Sequence, residues 1–297
     1  PVSQMDQGYK FSEYQLKYGL TDKQMTYYYM KWLSIGKDWN VLHQEYPTTP
    51  EEAFVSSGNK LFATEALAQQ VAIDGVVVGE WTYYKKYNPM HTYGCGADPS
   101  EGIGGDNATI VIVDFTTSEV VAVYYSKLTT PDVLAFEAVR VCKVYGNCIL
   151  APERNNHGHA FIVVAKDIYD NLYEEVTRDK NKETNTKKLG FLTTGASKPI
   201  IMYGLNTAVN EDTLKFNDKR LIREARTYQK EDLSRVDGDE DTIGHWDGLM
   251  ALAIAWEMRH HTDYIDPKDK DKVWDDDENY LIDRQEQDEL FDRFGII

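Results

Sequence analysis

The feature that most constrains the fold is an aspartate between two short apolar segments. Asp98 ends the run of residues 93–97 and precedes Pro99, which cannot donate a hydrogen bond to a neighbouring strand. The glycine-rich residues 102–105 then let the chain turn into a second apolar run, residues 108–113. This pattern predicts that Asp98 lies at the end of a strand, as an oxygen ligand on a rigid sheet. The alternative is an aspartate that caps a turn, which is common before Pro and Gly.

Two later acids have contexts that could bring them to the same place. Glu153 follows the apolar run 148–151, and Asp247 precedes an apolar helix predicted over residues 248–258. Open α/β sheets bind ligands at the carboxyl ends of their strands, which suits Glu153. Local alternatives stay open, since Glu153 could be a first-turn helix acid and Asp247 an ordinary N-cap. If the carboxylates of Asp98, Glu153 and Asp247 converge, they suit a hard cation such as Mg²⁺.

Asp106 is a fourth candidate, because the preceding glycines could bring it near Asp98. A plain β-turn role is the stronger interpretation of Asp106. His157, His159 and His245 lie near the acids in sequence. Each is as well explained by packing or hydrogen bonding as by proton transfer.

The remaining periodicity predicts an α/β domain with a mixed sheet. Thr21 is a plausible N-cap for a helix over residues 21–35. Further predicted helices cover residues 131–145 and 160–173, and predicted strands cover 109–114, 120–125 and 147–151. Two more strands, 173–176 and 189–193, are predicted to flank an exposed basic loop at 180–188. A meander followed by alternating helices and strands favours this fold class.

Charge and composition indicate which classes of partner and which kinds of site this chain can have. The net charge of −17 argues at first sight against nucleic acid, but many of the acids lie in residues 263–297, whereas residues 178–235 are rich in Lys and Arg. Three cysteines without CxxC spacing do not predict disulfides or zinc. The sequence has neither an apolar run long enough to span a bilayer nor a signal peptide, and its start at Pro1 suggests a fragment of a longer protein.

Several motifs in order carry a family resemblance. The segment Gln-Glu-Tyr-Pro-Thr-Thr-Pro-Glu-Glu-Ala-Phe at 44–54 looks like a connector between a motor and a nuclease. Asp98 in Gly-Ala-Asp-Pro, Glu153 in Pro-Glu-Arg-Asn-Asn-His-Gly and Asp247 before Met-Ala-Leu-Ala-Ile-Ala look like three acidic motifs. Over residues 30–260 the chain resembles the C-terminal nuclease half of a tailed-bacteriophage terminase large subunit. Some relatives carry paired acids at the third motif, whereas here Trp246 precedes Asp247.

The resemblance implies an RNase H-like (RuvC-like) fold, an α/β mixed central sheet flanked by helices, with a β-hairpin insertion. It implies that Asp98, Glu153 and Asp247 are catalytic and bind one or two Mg²⁺ or Mn²⁺ ions, with Asp106 as a further candidate ligand. Residues 190–199 are implied to lie near the active site, on or beside the hairpin.

The same resemblance implies a metal-dependent endonuclease that cuts concatemeric double-stranded DNA at the initiation and termination of viral genome packaging. Lys187, Lys188 and Lys198 are the candidates for phosphate contact. The expected partners are double-stranded DNA, an upstream ATPase domain of the same polypeptide, a portal ring and a small terminase subunit, with no membrane. The expected location is the bacterial host cytoplasm during phage assembly, and the protein is not expected in the mature virion.

The expected domains are a connector at 1–58, a nuclease domain at 59–262 and an acidic tail at 263–297. No GxxxxGK[ST] loop occurs, so no nucleotide site is expected in these residues. Two rival interpretations remain. Another RNase H-like nuclease, such as a junction resolvase or transposase, would share the carboxylates but not the connector. A portal-docking assembly module would use the same acids only as caps and turns.

Overall fold

The computed structural model describes residues 8–35, 37, 42–43, 46–49, 60–179, 184–234 and 246–262, with the backbone alone for 8–10, 177–179 and 184–186. The chain divides into two compact units, Pro1–Lys60 and Leu61–Ile297. Most of the connector at 44–54 and the whole of the tail at 263–297 lie outside the described residues.

The first unit contains helices α1 (Gly8–Tyr18) and α2 (Asp22–Ser34). Thr21 is the N-cap of α2, as the sequence predicts. The amide of Gln24 donates to Thr21 Oγ1 at 3.4 Å, and the amide of Thr21 donates to Gln24 Oε1 at 2.8 Å. An aromatic cluster forms the core of this unit, comprising Phe11, Tyr14, Met25, Tyr28, Trp32 and Leu42.

The second unit is built on a six-stranded sheet in the order β1-β2-β5-β4-β3-β6. Its strands are β1 (Val76–Val78), β2 (Trp81–Tyr83), β3 (Tyr93–Asp98), β4 (Ala108–Asp114), β5 (Glu119–Ser126) and β6 (Ile149–Pro152). Neighbouring strands are antiparallel except β3 and β6, which are parallel. The predicted mixed sheet is therefore confirmed.

Helices cover both faces of this sheet. They are α3 (Thr64–Leu67), α4 (Pro131–Val144), α5 (Gly158–Ile168), α6 (Ser197–Asn210), α7 (Lys219–Thr227) and α8 (Asp247–Glu257), with 3₁₀ turns at Lys230–Leu233 and Met258–His261. Side chains alternate along β4, so Ile110 and Ile112 join the core with α4 and α5, whereas Val111 and Val113 join the core with α6, α7 and α8. Of the helices in the described ranges, none combines the length and apolarity needed to cross a bilayer.

Two local predictions need correction, and one helix is an addition. The residues predicted as a basic loop at 180–188 are in part a strand, because β7 (Glu174–Asp179) pairs with β8 (Thr184–Leu189) in a hairpin. The strand predicted at 189–193 is therefore β8, which begins earlier and ends at Leu189. The helix predicted over 160–173 is α5, which starts at Gly158 and ends at Ile168 because Tyr169 has an extended backbone. Helix α6 is an addition to the predicted elements, since Pro199 and Gly204 weaken its helical signal.

Close packing at a glycine sets the position of α8 on the sheet. A Cβ atom on Gly96 of β3 would lie 2.1 Å from the carbonyl oxygen of Ala251 and 2.6 Å from the amide nitrogen of Ala255. A Cβ on Gly94 would lie 3.3 Å from the Cβ of Met258. Helix α8 thus lies directly on the backbone of β3, with its first residue toward the Asp98 end.

Candidate metal centre

Asp98 and Glu153 lie side by side at one end of the sheet. Asp98 is the last residue of β3, and the preceding Ala97 pairs with Pro152, the last residue of β6. The amide of Glu153 donates to the carbonyl oxygen of Ala97 at 2.8 Å. Ala97 packs in the core with α4 and α5, so the alternation of strand side chains directs Asp98 to the opposite face, on which α8 lies. Glu153 follows the same alternation, because Ala151 packs in the core with α8.

Asp247 is brought to the same end of the sheet by two residues of the β3–β4 connection and β4. Thr109 is the cross-strand partner of Asp98, and its hydroxyl donates to the carbonyl oxygen of Asp247 at 2.9 Å. Asn107 donates to Asp247 Oδ2 from its amide at 2.8 Å and from Nδ2 at 3.2 Å. The structure therefore gathers Asp98, Glu153 and Asp247 at the carboxyl ends of β3 and β6 and the start of α8.

The three acids share one end of the sheet, but in the described residues their side chains do not form a compact ligand cluster. In the described ranges, no three His, Cys, Asp or Glu side chains form a ready-made metal cluster. The Oδ2 atom of Asp247 instead accepts hydrogen bonds from Asn107.

Glu153 is buried, at 6% exposure, and lies against the segment after β8. The amide of Phe191 donates to the carbonyl of Pro152 at 2.8 Å, and the amide of Arg154 donates to the carbonyl of Phe191 at 2.7 Å. Asn155 Nδ2 lies 3.4 Å from Glu153 Oε1 and donates to the carbonyl of Thr193 at 2.8 Å. Residues 190–194 are therefore next to the acids, beside the hairpin.

Two buried hydroxyls near the acids have unmet hydrogen-bonding capacity. Ser100, two residues after Asp98, and Thr193, whose carbonyl binds Asn155, are both buried. Within the described residues, Ser100 Oγ and Thr193 Oγ1 have no hydrogen-bond partner. Buried polar atoms are normally satisfied, so a hydrated cation or a bound polar group would complete this region. Carboxylates and hydroxyls form an oxygen-only donor set, which fits Mg²⁺ or Mn²⁺.

The remaining sequence candidates are more dispersed. Asp106 is exposed in the loop before β4, and its neighbour Asn107 makes the contact with Asp247. His157 Nε2 lies 3.6 Å from Glu101 Oε1, both partly exposed. His159 is exposed on α5, and His245 lies outside the described residues.

The three candidate phosphate-binding lysines lie in different settings. Lys187 on β8 forms an exposed ion pair with Glu174 at 2.9 Å, so part of its charge is already offset. Lys188 is exposed on the same strand. Lys198 is half-buried in the first turn of α6, where its amide donates to the carbonyl of Thr194 at 2.9 Å.

Glu224 of α7 is a site neighbour that the sequence did not indicate. Its Oε2 accepts a hydrogen bond from the amide of Leu249 at 2.7 Å, and its Oε1 accepts one from the hydroxyl of Tyr125 at 2.9 Å. The pKa of Glu224 is raised to about 8, chiefly by burial and in part by the charges of Asp247 and Asp218, against the hydrogen bonds from Leu249 and Tyr125, which lower it. A glutamate among the Lys and Arg residues of α7 resembles an ordinary surface residue, so local sequence carries no signal for this role.

Gly248 makes the approach of Tyr125 to this network possible. A Cβ atom on Gly248 would lie 1.6 Å from the hydroxyl oxygen of Tyr125. Asp247 is thus flanked by Asn107 and Thr109 on one side and by the Tyr125–Glu224–Leu249 hydrogen bonds on the other.

No protein-family model matches the sequence, and no curated protein sequence matches it. Among solved structures, this chain is similar to the large terminase nuclease of thermophilic phage G20c with bound magnesium, at 18% identity and a TM-score of 0.52, covering 68% of this chain and 98% of that one. The same nuclease with bound cobalt gives 17% identity, coverage of 68% and 98%, and a TM-score of 0.52. With bound zinc it gives 17% identity and a TM-score of 0.50, covering 66% of this chain and 97% of that one. The chain therefore has the RNase H-like fold of phage large terminase nuclease domains, as its motifs predict.

Proposed function

We propose that the protein is a metal-dependent DNA endonuclease of a viral genome-packaging terminase, which cuts concatemeric double-stranded DNA at the initiation and termination of packaging. The observation that carries this proposal is the convergence of Asp98, Glu153 and Asp247 on one end of a terminase-nuclease fold. The G20c nuclease, which has this fold, has been solved with magnesium, cobalt and zinc bound, and this supports a divalent cation as the cofactor.

Asp98 ends β3, between β6, which leads into Glu153, and β4, whose Thr109 contacts Asp247, and the three acids are proposed to hold the cation together. Asp106 is proposed as a further ligand from the exposed loop. When bound, one or two Mg²⁺ or Mn²⁺ ions held by Asp98, Glu153 and Asp247 would activate the attacking water and stabilise the leaving 3′ oxygen. We propose that the site holds one or two such ions.

The chain's own residues would orient these ligands. Asn107 and Thr109 fix Asp247 through its carboxylate and its carbonyl. Asn155 lies against Glu153 and ties it to the Thr193 segment. Outer partners of this kind hold ligands in the productive rotamer. Lys187, Lys188 and Lys198 are proposed to contact backbone phosphates, which position DNA without reading its sequence, so cleavage should be largely sequence-tolerant.

In the proposed organisation, the nuclease domain at 59–262 follows a connector at 1–58 and precedes an acidic tail at 263–297. The connector motif supports an ATPase domain upstream in the same polypeptide. The portal ring and the small terminase subunit are the proposed partners, and the bacterial host cytoplasm during phage assembly is the proposed location.

The test is cleavage of supercoiled plasmid by the purified chain with Mg²⁺ or Mn²⁺. Asp98→Asn, Glu153→Gln and Asp247→Asn should each abolish nicking and linearisation, with the far-ultraviolet circular dichroism unchanged. Asp167→Asn is the matched control, because Asp167 is exposed on α5 in the other layer of the domain, and it should cut normally. Retained cutting in the Asp98 or Asp247 variant would refute the site. Preference for a four-way junction over linear duplex would favour a resolvase.

A further inference from the structure

Helix α7 carries a row of exposed cations on one face. Lys219, Arg223 and Arg226 are spaced by four and three residues, so they lie on the same side of the helix. The opposite side is buried in the core through Leu221 and Ala225. A row from Lys219 to Arg226 is about 10 Å long at the helical rise of about 1.5 Å per residue.

Among the residues that the structure describes, no carboxylate neutralises this row. In the described chain, Lys219, Arg223 and Arg226 make no ion pair with a carboxylate. Arg220 on the adjacent side shows the contrast, because it binds Asp218 at 2.5 Å and stacks 4.3 Å above the ring of Tyr125. We call the three residues Lys219, Arg223 and Arg226 the cationic row.

The row belongs to the helix that supports the start of α8. Trp246, immediately before Asp247, donates from Nε1 to Thr227 Oγ1 at 3.1 Å, and its ring lies 5.1 Å from that of Tyr228. Glu224 of the same helix accepts a hydrogen bond from the amide of Leu249. Two contacts therefore tie α7 to the first turn of α8, so the cationic row is fixed relative to Asp247.

Because the site is acidic, a polyanion that approaches it is repelled unless cations lie nearby. The chain has a net charge of −17, and Asp98, Glu153 and Asp247 add negative charge at the site itself. Double-stranded DNA carries one negative charge per about 3.4 Å of axis on each strand, so about 10 Å of duplex carries about three phosphates per strand, a length and charge comparable to the three cations. The hairpin offers less, since Lys187 is paired with Glu174.

We propose that the cationic row of α7 is a contact surface for the phosphate backbone of double-stranded DNA, which holds the duplex beside Asp247. This inference rests on the proposed nuclease function and adds the surface that holds its substrate. The contacts are to phosphates, so the surface should bind duplexes of different sequence with similar affinity.

The experiment measures binding of a fluorescent duplex of about 30 base pairs by anisotropy at about 50–200 mM salt. All proteins carry Asp98→Asn to prevent cleavage. The triple change Lys219→Ala, Arg223→Ala and Arg226→Ala should weaken binding at least tenfold and reduce the salt dependence of log K by about 2 to 3. The matched control changes Lys86, Lys143 and Lys166 to Ala, which are equally exposed cations away from the site, and should alter affinity less than about twofold.

Cleavage by the same triple variants without Asp98→Asn separates the two proposals. Loss of the cationic row should raise KM with a nearly unchanged kcat, because the acids are untouched. If the cationic-row variant binds duplex with unchanged affinity and salt dependence, the proposed DNA-contact surface is wrong. Normal plasmid cutting by that variant would still leave the nuclease proposal intact. Equal losses in the control variant would also overturn it, because they would show only a general effect of charge. A parent chain that neither cuts nor binds duplex would overturn both.

Discussion

The carboxylate of Glu224 accepts a hydrogen bond from the backbone amide of Leu249 at 2.7 Å, across 25 residues of sequence. Leu249 lies in the first turn of α8, where amides have no partner within the helix. Glu224 therefore accepts a hydrogen bond from an otherwise unpaired amide at the start of the helix that carries Asp247. Its second oxygen accepts the hydroxyl of Tyr125 from β5, which joins the helix end to the sheet.

The buried carboxyl of Glu224 should make folding stability fall as pH rises. Its pKa is raised from 4.5 to about 8, chiefly by burial; the charges of Asp247 and Asp218 also raise it, and the hydrogen bonds from Leu249 and Tyr125 lower it. A carboxyl whose pKa is higher in the folded than in the unfolded protein contributes its full stabilisation at pH values below the unfolded-state pKa. This contribution is lost as the pH rises to the folded-state pKa. Between about pH 5 and about pH 8 the loss should be about 3 kcal/mol.

Urea unfolding in EDTA at a series of pH values measures this effect. In Glu224→Gln the amide oxygen can accept from the amide of Leu249, and the NH₂ group can donate to the hydroxyl oxygen of Tyr125, which reverses that bond. The difference in unfolding free energy between wild type and variant therefore isolates the titration. That difference should grow in favour of the variant as pH rises. A difference independent of pH would contradict the predicted protonation of Glu224.

Gly96→Ala should destabilise the protein by roughly 2–3 kcal/mol, because a Cβ has no room and α8 must move off β3. The clash is with backbone atoms of Ala251 and Ala255, which cannot rotate away. Gly204→Ala in α6 is the matched control, since a Cβ there meets nothing within 4 Å. The control should be more stable by about 0.5–1 kcal/mol through helix propensity. Chemical unfolding of both variants checks the prediction, and equal stabilities would contradict it.

Asn107→Ala should raise the Mg²⁺ concentration needed for half-maximal cleavage by about tenfold, because the Nδ2 donor that orients Asp247 is lost. Unfolding free energy should change by less than about 1 kcal/mol, since the contact is only partly buried. Asp106→Asn serves as the comparison at the adjacent position. A larger effect at Asp106 than at Asn107 would instead support Asp106 as a direct ligand.

The three cysteines should be inert in the folded protein. Cys95, Cys142 and Cys148 are buried and free, and burial raises the pKa of each thiol. A thiol that is both inaccessible and protonated reacts slowly. Labelling with a chromogenic disulfide reagent should be negligible in native protein and should reach three thiols per chain after unfolding. Rapid native labelling would show that this core opens.

Local sequence determined the elements with a clear period and the acids at their ends. The apolar runs of β4 and β5, the capped start of α2 and the apolar run of α8 have local causes, so their patterns predict them. Strand β8 was partly missed, because its Thr and Lys residues suggest an exposed loop. Helix α6 was missed because Pro199 and Gly204 interrupt its pattern.

Tertiary structure alone decided which residues surround the acids. Asn107 contacts Asp247 across 140 residues of sequence, and Thr109 does so across 138. The sequence drew attention to Asp106, since an acid is the more obvious ligand, but the hydrogen bonds to Asp247 come from the next residue. Glu224 likewise has no local signal. These contacts depend on how α7 and α8 pack on the sheet, and a one-dimensional pattern does not contain that packing. The sequence therefore predicted Asp98 as a ligand at a strand end, whereas the fold supplied its neighbours.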